Sequence, residues 1–495
     1  QGSAAGLHRG RRAGQAGQVQ ERHAGRPATG NGGSNRLFYL RRIPGHARPG
    51  RHRHRCHARP YRFARASPGR AGIAHQAFVR ATRRAPDRQG LKGGTASRVT
   101  AAEAASPVMT IYFDHNATTP MHPEVFEAMR PWLTERHGNA SSLHRAGREA
   151  RAAIDAARAQ VAECVNAHPS QIVFTAGGTE ADNMALKGVA ATRTPARMLI
   201  SPIEHPAITD TASALERSGW RIDRVAVDDQ GRIDLEDLER QLASGDVALV
   251  SIMVANNETG VLQDMRAISG IVRAAGVWLH TDAVQAMGKL DFDFAASGAH
   301  CASLSSHKIQ GPKGVGALIV DKHMDMAPIV HGGGHEQGLR SGSYNVAGIV
   351  GFGAAAKRLM AHRDAEIEHM RRLRDQLETG LDATPGITRF SAQAERLPNT
   401  SQFAVAGYDG EGLLMLLDRE DIAVSSGSAC AAGTGEPSPV LLAMGVDPAV
   451  AQGAIRVSLG PQNTLEEIQQ FLLVLGRLSN GGGAMPGSIS ASVLG

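Results

Sequence analysis

The chain has 495 residues, long enough for more than one domain with a sizeable core. Its formal net charge of +7 hides two opposite segments: residues 1–108 hold 21 Arg and one Lys against three acids, leaving 32 basic and 44 acidic residues for the body. An acidic body gives no reason to expect nucleic-acid binding, four cysteines without a C-x-x-C pair argue against a disulfide framework or zinc ribbon, and apolar runs such as 247–254 are too short for a membrane span.

Residues 1–108 are rich in Arg, Gly, Ala and His, with RHRHRCHARP at 51–60 as the extreme. Such a composition buries too little to offset its ordering entropy. A basic nucleic-acid arm or an organelle transit peptide would share it. The expectation is a disordered extension or translated upstream sequence, with the cellular protein starting at or near Met109. No signal-peptide h-region is seen at the start.

From Ile111 the texture changes. A short strand at 111–113 leads into the polar turn DHNATTP, followed by helices at 123–136 and 143–165. Strands are predicted at 171–174, 197–201, 222–227, 247–254, 277–281, 301–304 and 315–320, with helices at 179–190, 206–218, 234–243 and 264–275 between them. This alternation implies an α/β fold with a mainly parallel sheet, helices on both faces and ligands at the carboxyl ends of the strands. Helical patterns at 346–382, 410–419 and 464–478 and a strand near 400–405 suggest a smaller α+β domain. The expected division is a large domain over 124–362, a small one built from 109–123 plus 363–479, and a Gly/Ser-rich flexible tail over 480–495.

The residues just beyond each strand carry the chemistry. TAGGTEADN opens a helix with Gly178 and Thr179, suited to a phosphate or to an ordinary capped start. Glu204-His205-Pro206 puts a histidine at a strand end, where it can be structural or can stack on a flat ring and move protons. Asn256-Asn257-Glu258 reads equally as a turn. Asp282 at a buried strand end needs a cationic partner, and a protonated pyridine nitrogen is one. Ser305-Ser306-His307-Lys308 places a lysine in a small polar turn between apolar strands, where partial desolvation favours a neutral, Schiff-base-forming amine. Each signal alone is modest. Together they read as a pyridoxal phosphate site with Lys308 as the carrier.

The stretches YFDHNATTP, GNASSLHRAGREAR, FTAGGTEADN, EHPA, ANNETGVLQD, HTDAVQAMGKL, SHKIQGPKGVGAL, HGGGHEQGLRSGS, AVSSGSACAAG and IRVSLG span about residues 110–460. In order and spacing the body resembles the cysteine desulfurases, within the class V group of fold-type I pyridoxal phosphate enzymes. The resemblance implies a homodimeric cytoplasmic enzyme that takes sulfur from L-cysteine, leaving alanine and a persulfide on Cys430, and hands it to an iron–sulfur scaffold or another acceptor protein. It implies that Lys308 holds the cofactor, His205 stacks on its ring, Asp282 pairs with the ring nitrogen, and Asn257 and Gln285 lie near its phenolic oxygen. Gly178, Thr179, Ser305, Ser306 and His307 would surround the phosphate, and Ser343 would reach the phosphate of the neighbouring subunit. Arg456 would clamp the substrate carboxylate, helped by Asn139.

Cys430 lies in SSGSACAAGTGEPS, which marks the long-loop subgroup; this stretch is expected to be a mobile loop carrying a thiolate nucleophile and a transient iron–sulfur ligand. Cys164 and Cys301 fit inert buried thiols better. Ser306, Gln310 and Ala140 depart from the resembled pattern, and Ser306 is the one expected to alter the backbone near the phosphate. A selenocysteine lyase or class V aminotransferase on the same fold, and a catalytically silent partner protein, are the alternatives.

Overall fold

A computed structural model describes residues 110–426 and 436–480, all within one compact unit, Arg98–Gly495. The expected basic extension, the Cys430 stretch and all but the first residue of the tail lie outside the described residues.

The chain enters on β1 (Ile111–Tyr112) and then builds β2 (Ile172–Thr175), β3 (Arg197–Ile200), β4 (Arg221–Arg224), β5 (Val247–Ser251), β6 (Trp278–Asp282), β7 (Cys301–Ser305) and β8 (Gly316–Val320). Strands β2 to β8 form one sheet in the order β2-β8-β7-β6-β5-β3-β4. All neighbours are parallel except β8, which runs antiparallel to both β2 and β7.

Successive residues of these strands bury on opposite faces, as a sheet covered on both sides requires. Phe174, Leu199, Ala302 and Ile319 pack with the helix Arg145–Cys164 on one face. Their neighbours Val173, Met198, Cys301 and Leu318 pack with the helices Gly178–Ala190 and Pro206–Glu216 on the other. The carboxyl ends of β2, β3, β5, β6 and β7 therefore open on the same edge.

The remaining strands are β9 (Ile387–Arg389), β10 (Thr400–Val405), β11 (Ile422–Ala423), β12 (Ser425–Ser426) and β13 (Ala454–Ser458). Four of them form an antiparallel sheet in the order β12-β13-β10-β9, while β11 pairs with β1. Phe113, Phe403, Val457 and Phe471 fill the core of this part. One continuous helix, Val346–Asp382, joins the two parts: its Phe352 and Leu359 enter the core of the large sheet, and its Leu373, Leu377 and Leu381 enter the core of the small one. The boundary expected at 362/363 falls inside that helix.

Candidate active site

Lys308 sits in a single tight turn, Ser306–Lys308, directly after β7. Its Nζ donates to the carbonyl of Asn116 and, at 2.7 Å, to that of Ala117. Both carbonyls belong to the turn after β1, and Thr119 locks this turn to the lysine loop by donating through Oγ1 to the His307 carbonyl at 2.8 Å. The chain's first strand is thus brought against the end of its seventh.

Asp282 closes β6 and is 7% exposed, with Oδ1 accepting from the Val284 N–H at 2.8 Å. Burial raises its pKa, while that N–H, His205 and Lys308 act against the rise. Two further buried carboxylates stand near it. Asp182 is held well above the usual range by burial and then by the charge of Asp282. Glu204, held up by the same two causes, accepts from the Met253 N–H at 2.7 Å. Oδ1 of Asp182 is buried with no hydrogen-bond partner among the described residues, 3.6 Å from His280 Nε2. Burial pushes His280 down to about 3, so this is a contact with a neutral imidazole.

His205 caps the helix Pro206–Glu216 through Nδ1, which accepts from the Ala207 N–H at 3.1 Å. That bond leaves the proton of the neutral ring on Nε2. Burial lowers its pKa, with Asp282 opposing and Lys308 adding to the fall.

Gly178, Thr179, Asp182, His205, Asn257, Asp282, Gln285, Ser305, His307 and Lys308 all line a cavity of about 210 Å³. Gly178, Thr179, Ser305 and His307 also line an adjoining cavity of about 680 Å³, together with Lys313. Between the two lies the start of the helix Gly178–Ala190, whose N-cap, Gly177, supplies no side-chain bond. A Cβ on Gly178 would lie 2.8 Å from Val284 Cγ2, so only glycine lets the helix start come this close to the segment after β6. His307 Nδ1 lies 3.0 Å from Thr118 Oγ1, and burial followed by Lys308 and Lys313 pushes its pKa down to about 4.

Arg456 in β13 is 1% exposed. It donates to Asp114 Oδ1 at 2.6 Å and to the Asn257 carbonyl at 3.0 Å, and its buried Nε has no partner among the described residues. The small sheet thereby presents a guanidinium to the loop that carries Asn257.

Other expected residues are not brought into this group. Ser306 is fully buried but lines neither cavity; its Oγ has no partner among the described residues and would lie 2.0 Å from a Cβ at Gly311. The Ser305-to-His307 turn directs the two flanking residues toward the cavities and Ser306 inward against Gly311. Asn139 is exposed and uses Oδ1 to accept from the Ser141 N–H at 2.9 Å. Ser343 is exposed and lines neither cavity. Cys430 lies outside the described residues. Among those residues no group of three or more His, Cys, Asp or Glu could hold a metal.

Asn116, Lys289, Asp182, Asp114 and Glu258 belong to the site or its walls and do not stand out in the sequence. Asn116 sits in a stretch that reads as a polar turn, yet it is 2% exposed and bonded to Thr400, Ser458 and Asn399 of the small sheet's segments. The available signal is DHNATTP itself, a polar cluster directly after a buried strand.

The site suits pyridoxal phosphate. A buried carboxylate at the cavity wall, Asp282, fits a ring cation, the Lys308 amine fits an aldehyde carbon, and an uncapped helix start with Ser305 and His307 fits a phosphate. A class-V aminotransferase family profile matches residues 111–471. The chain belongs to the class-V aminotransferase family, among the cysteine desulfurases.

Cysteine desulfurase IscS of Dictyoglomus turgidum is 41% identical, over 74% of this chain and 94% of that protein. A solved NifS-like protein matches with 38% identity and a TM-score of 0.71, over 75% of this chain and all of the other. A solved complex of SspA with cysteine matches at 32% identity and a TM-score of 0.65, over 72% of this chain. Members of this family depend on pyridoxal phosphate, and this chain is a pyridoxal phosphate enzyme.

Proposed function

We propose that the enzyme removes sulfur from L-cysteine with Lys308 as its cofactor lysine and Cys430 as its sulfur-accepting thiol, and passes the sulfur to an iron–sulfur scaffold or other acceptor protein. The observation that carries the site assignment is the single cavity shared by Lys308, Asp282 and His205. Pyridoxal phosphate, when bound, supplies an electron sink for the carbanion that follows loss of the substrate's α-proton.

The residues divide the remaining work. Asp282 would hold the ring nitrogen protonated, and its buried position strengthens that pairing. His205, tethered through Nδ1, would stack its ring on the cofactor and exchange a proton at the substrate sulfur. The start of the helix Gly178–Ala190, with Ser305 and His307, would hold the phosphate, and Asn257 and Gln285 would flank the ring. Arg456 would bind the substrate carboxylate through its guanidinium fork. Lys308 Nζ, once displaced, would take the α-proton.

The Cys430 thiolate then attacks the sulfur of cysteine. A sulfur–sulfur bond forms, the substrate's carbon–sulfur bond breaks, and protonation of the carbon completes alanine. The persulfide left on Cys430 carries the sulfur onward.

A homodimer in the cytoplasm is part of the same proposal. The exposed Ser343 would then reach a second subunit's phosphate, and the free thiols of Cys164 and Cys301 suit a reducing compartment. No described helix is long and apolar enough to cross a membrane.

The test compares the full chain with Lys308→Ala and Cys430→Ala, assaying alanine and sulfide from cysteine and selenide from selenocysteine. Lys308→Ala should lose the cofactor's colour; retained colour would sink the lysine assignment. Cys430→Ala should stay coloured and respond to cysteine but release no sulfide. Normal sulfide release by that variant would refute the thiol's role, and turnover of selenocysteine alone would make the enzyme a lyase for selenium.

A further inference from the structure

Gln285 lies in the segment after β6, is 6% exposed and lines the cofactor cavity. A primary amide has an accepting oxygen and a nitrogen with two hydrogens, so what it offers a ligand depends on which way it is turned. Both ends of this amide are held from one residue of the chain's first turn, Asn116. The Asn116 carbonyl, which can only accept, takes Gln285 Nε2 at 3.0 Å. The Asn116 side chain holds the other end through Lys289, whose Nζ donates to Asn116 Oδ1 at 2.8 Å and to Gln285 Oε1.

Lys289 is 4% exposed. The turn that carries it needs glycine at position 288: φ there is +88°, and a Cβ would lie 2.7 Å from Ile309 Cγ2. Asn116 is itself fixed, because its Nδ2 donates to the Asn257 carbonyl at 3.1 Å and to Thr400 Oγ1 at 2.9 Å, which leaves Oδ1 as the end that faces Lys289. Burial lowers the Lys289 pKa well below the usual lysine range, and the charges of Lys308 and Arg456 lower it further. A neutral amine still carries two N–H groups, and the two amide oxygens take both, so the arrangement needs no buried charge.

With Oε1 given to Lys289 and one Nε2 hydrogen to Asn116, the second Nε2 hydrogen of Gln285 has no acceptor among the described residues. We propose that Lys289 is a positioning residue for Gln285: by holding Oε1 it turns the amide so that Nε2, and not the oxygen, serves the cofactor's phenolic oxygen. A donor at that oxygen favours its ionised form, whereas an amide oxygen turned to it would favour the protonated one. The proposal rests on the reading of this cavity as the cofactor site with Gln285 beside the ring oxygen.

The test follows the absorbance of the cofactor-loaded full chain against pH, where the midpoint reports the proton held at the ring oxygen. Gln285→Leu examines the underlying reading. It should raise proton affinity about ten-fold, roughly one pH unit in the midpoint, and an unmoved midpoint would place Gln285 away from the ring oxygen and overturn both. Lys289→Met leaves Oε1 without its donor and should raise the affinity about three-fold, roughly half a pH unit, but add nothing in the Gln285→Leu background. If Gln285→Leu shifts the midpoint and Lys289→Met does not, or if Lys289→Met shifts it equally in both backgrounds, this proposal alone is overturned.

The other titratable groups are common to all four proteins and cancel in the comparison. Asp182, His205, Asp282, His307 and Lys308 line the same cavity. His115 and Arg456 interact with Lys289 through their charges, and Arg358 and Glu366, beside it in a small cavity, pair with one another. If Lys289→Met does not fold, a crystal structure of the cofactor-loaded wild type decides. Gln285 Nε2 should reach both the Asn116 carbonyl and the ring oxygen, with Lys289 on Oε1; a ring oxygen beyond hydrogen-bond reach of Nε2 overturns the proposal.

Discussion

Glu258 offers a quantitative test of how the site's walls are held. It follows Asn257, whose carbonyl receives Arg456, and is 6% exposed. Its Oε2 accepts from Ser438 Oγ at 2.5 Å and from Gln402 Nε2 at 3.4 Å. Ser438 is also the N-cap of the helix Pro439–Ala443. Burial raises the carboxyl from 4.5 to about 7, while Ser438, Arg456 and Gln402 pull the other way.

The folded pKa lies above the unfolded one, so the folded protein binds more protons between these values. The stability contributed by this group is complete below pH 4.5 and is lost as pH rises through about 7. A gap of roughly two to three pH units corresponds to about 3 kcal/mol. Glu258→Gln keeps an amide in the same space and removes the titration. Unfolding of the cofactor-saturated wild type and variant should be followed by denaturant midpoint from about pH 5 to about pH 8. Asp182, Glu204 and Asp282, whose pKa values are also raised, tilt both curves downward with rising pH. The lowered histidines, His115 and His280, act at the acid end. All of these cancel in the difference. The wild type should therefore lose about 3 kcal/mol relative to Glu258→Gln across the range. Parallel curves would show that Glu258 titrates as an ordinary carboxylate and that its burial does not govern it.

Three other outcomes are expected. Arg456→Lys, which gives up a planar fork for a point charge, should lower kcat/KM for cysteine by about 10- to 100-fold while the cofactor's absorbance is unchanged, as steady-state kinetics would show. Glu336→Ala removes the carboxylate that binds Arg158 at 2.6 and 2.7 Å and accepts the Phe174 N–H at 2.7 Å. Leaving that arginine buried and unpaired should cost about 3–5 kcal/mol in denaturant unfolding, and a loss under about 1 kcal/mol would contradict the geometry. Cys164 and Cys301 are buried, and burial holds the Cys164 thiol at about 11 and pushes that of Cys301 up as well. Iodoacetamide at neutral pH should therefore alkylate both about 100-fold more slowly than a free thiol, read by peptide mass spectrometry of the native chain.

Most elements of the large sheet are legible in the sequence because their strands are short apolar runs bounded by small polar residues, the edge strand β4, RIDR, being the exception. A strand buried on both faces has to be written that way. Its direction is not encoded in the run: nothing in GALIV distinguishes antiparallel β8 from its parallel neighbours, because direction depends on the tight connection from β7 through Lys308. The small sheet is harder to read. IRVSLG stands out for its arginine rather than as the strand β13, and β11 and β12 are two residues each, too short for any period to show.

The site divides along a similar line. Lys308, Asp282, His205 and Gly178 each stand directly at a strand or helix end, where one residue's position follows from the element before it. Asn116 and Lys289 do not. Asn116 acquires its role from partners 141 to 342 residues away, among them Asn257, Lys289, Thr400 and Ser458. Lys289, read locally, is an ordinary charge after a glycine. Strand ends carry these cavity-lining groups, so they can be read element by element. The contacts that hold those groups in one register run between the chain's first turn, its large sheet and its small sheet, and they exist only once all three have met. Asn116 is where they meet: it accepts Lys308, the buried Lys289 and a side chain of the small sheet's segment through its two oxygens. Its own N–H groups reach Ser458 and Thr400. A shift between the two sheets would therefore move the carbonyl that receives Lys308 together with β13, which carries Arg456.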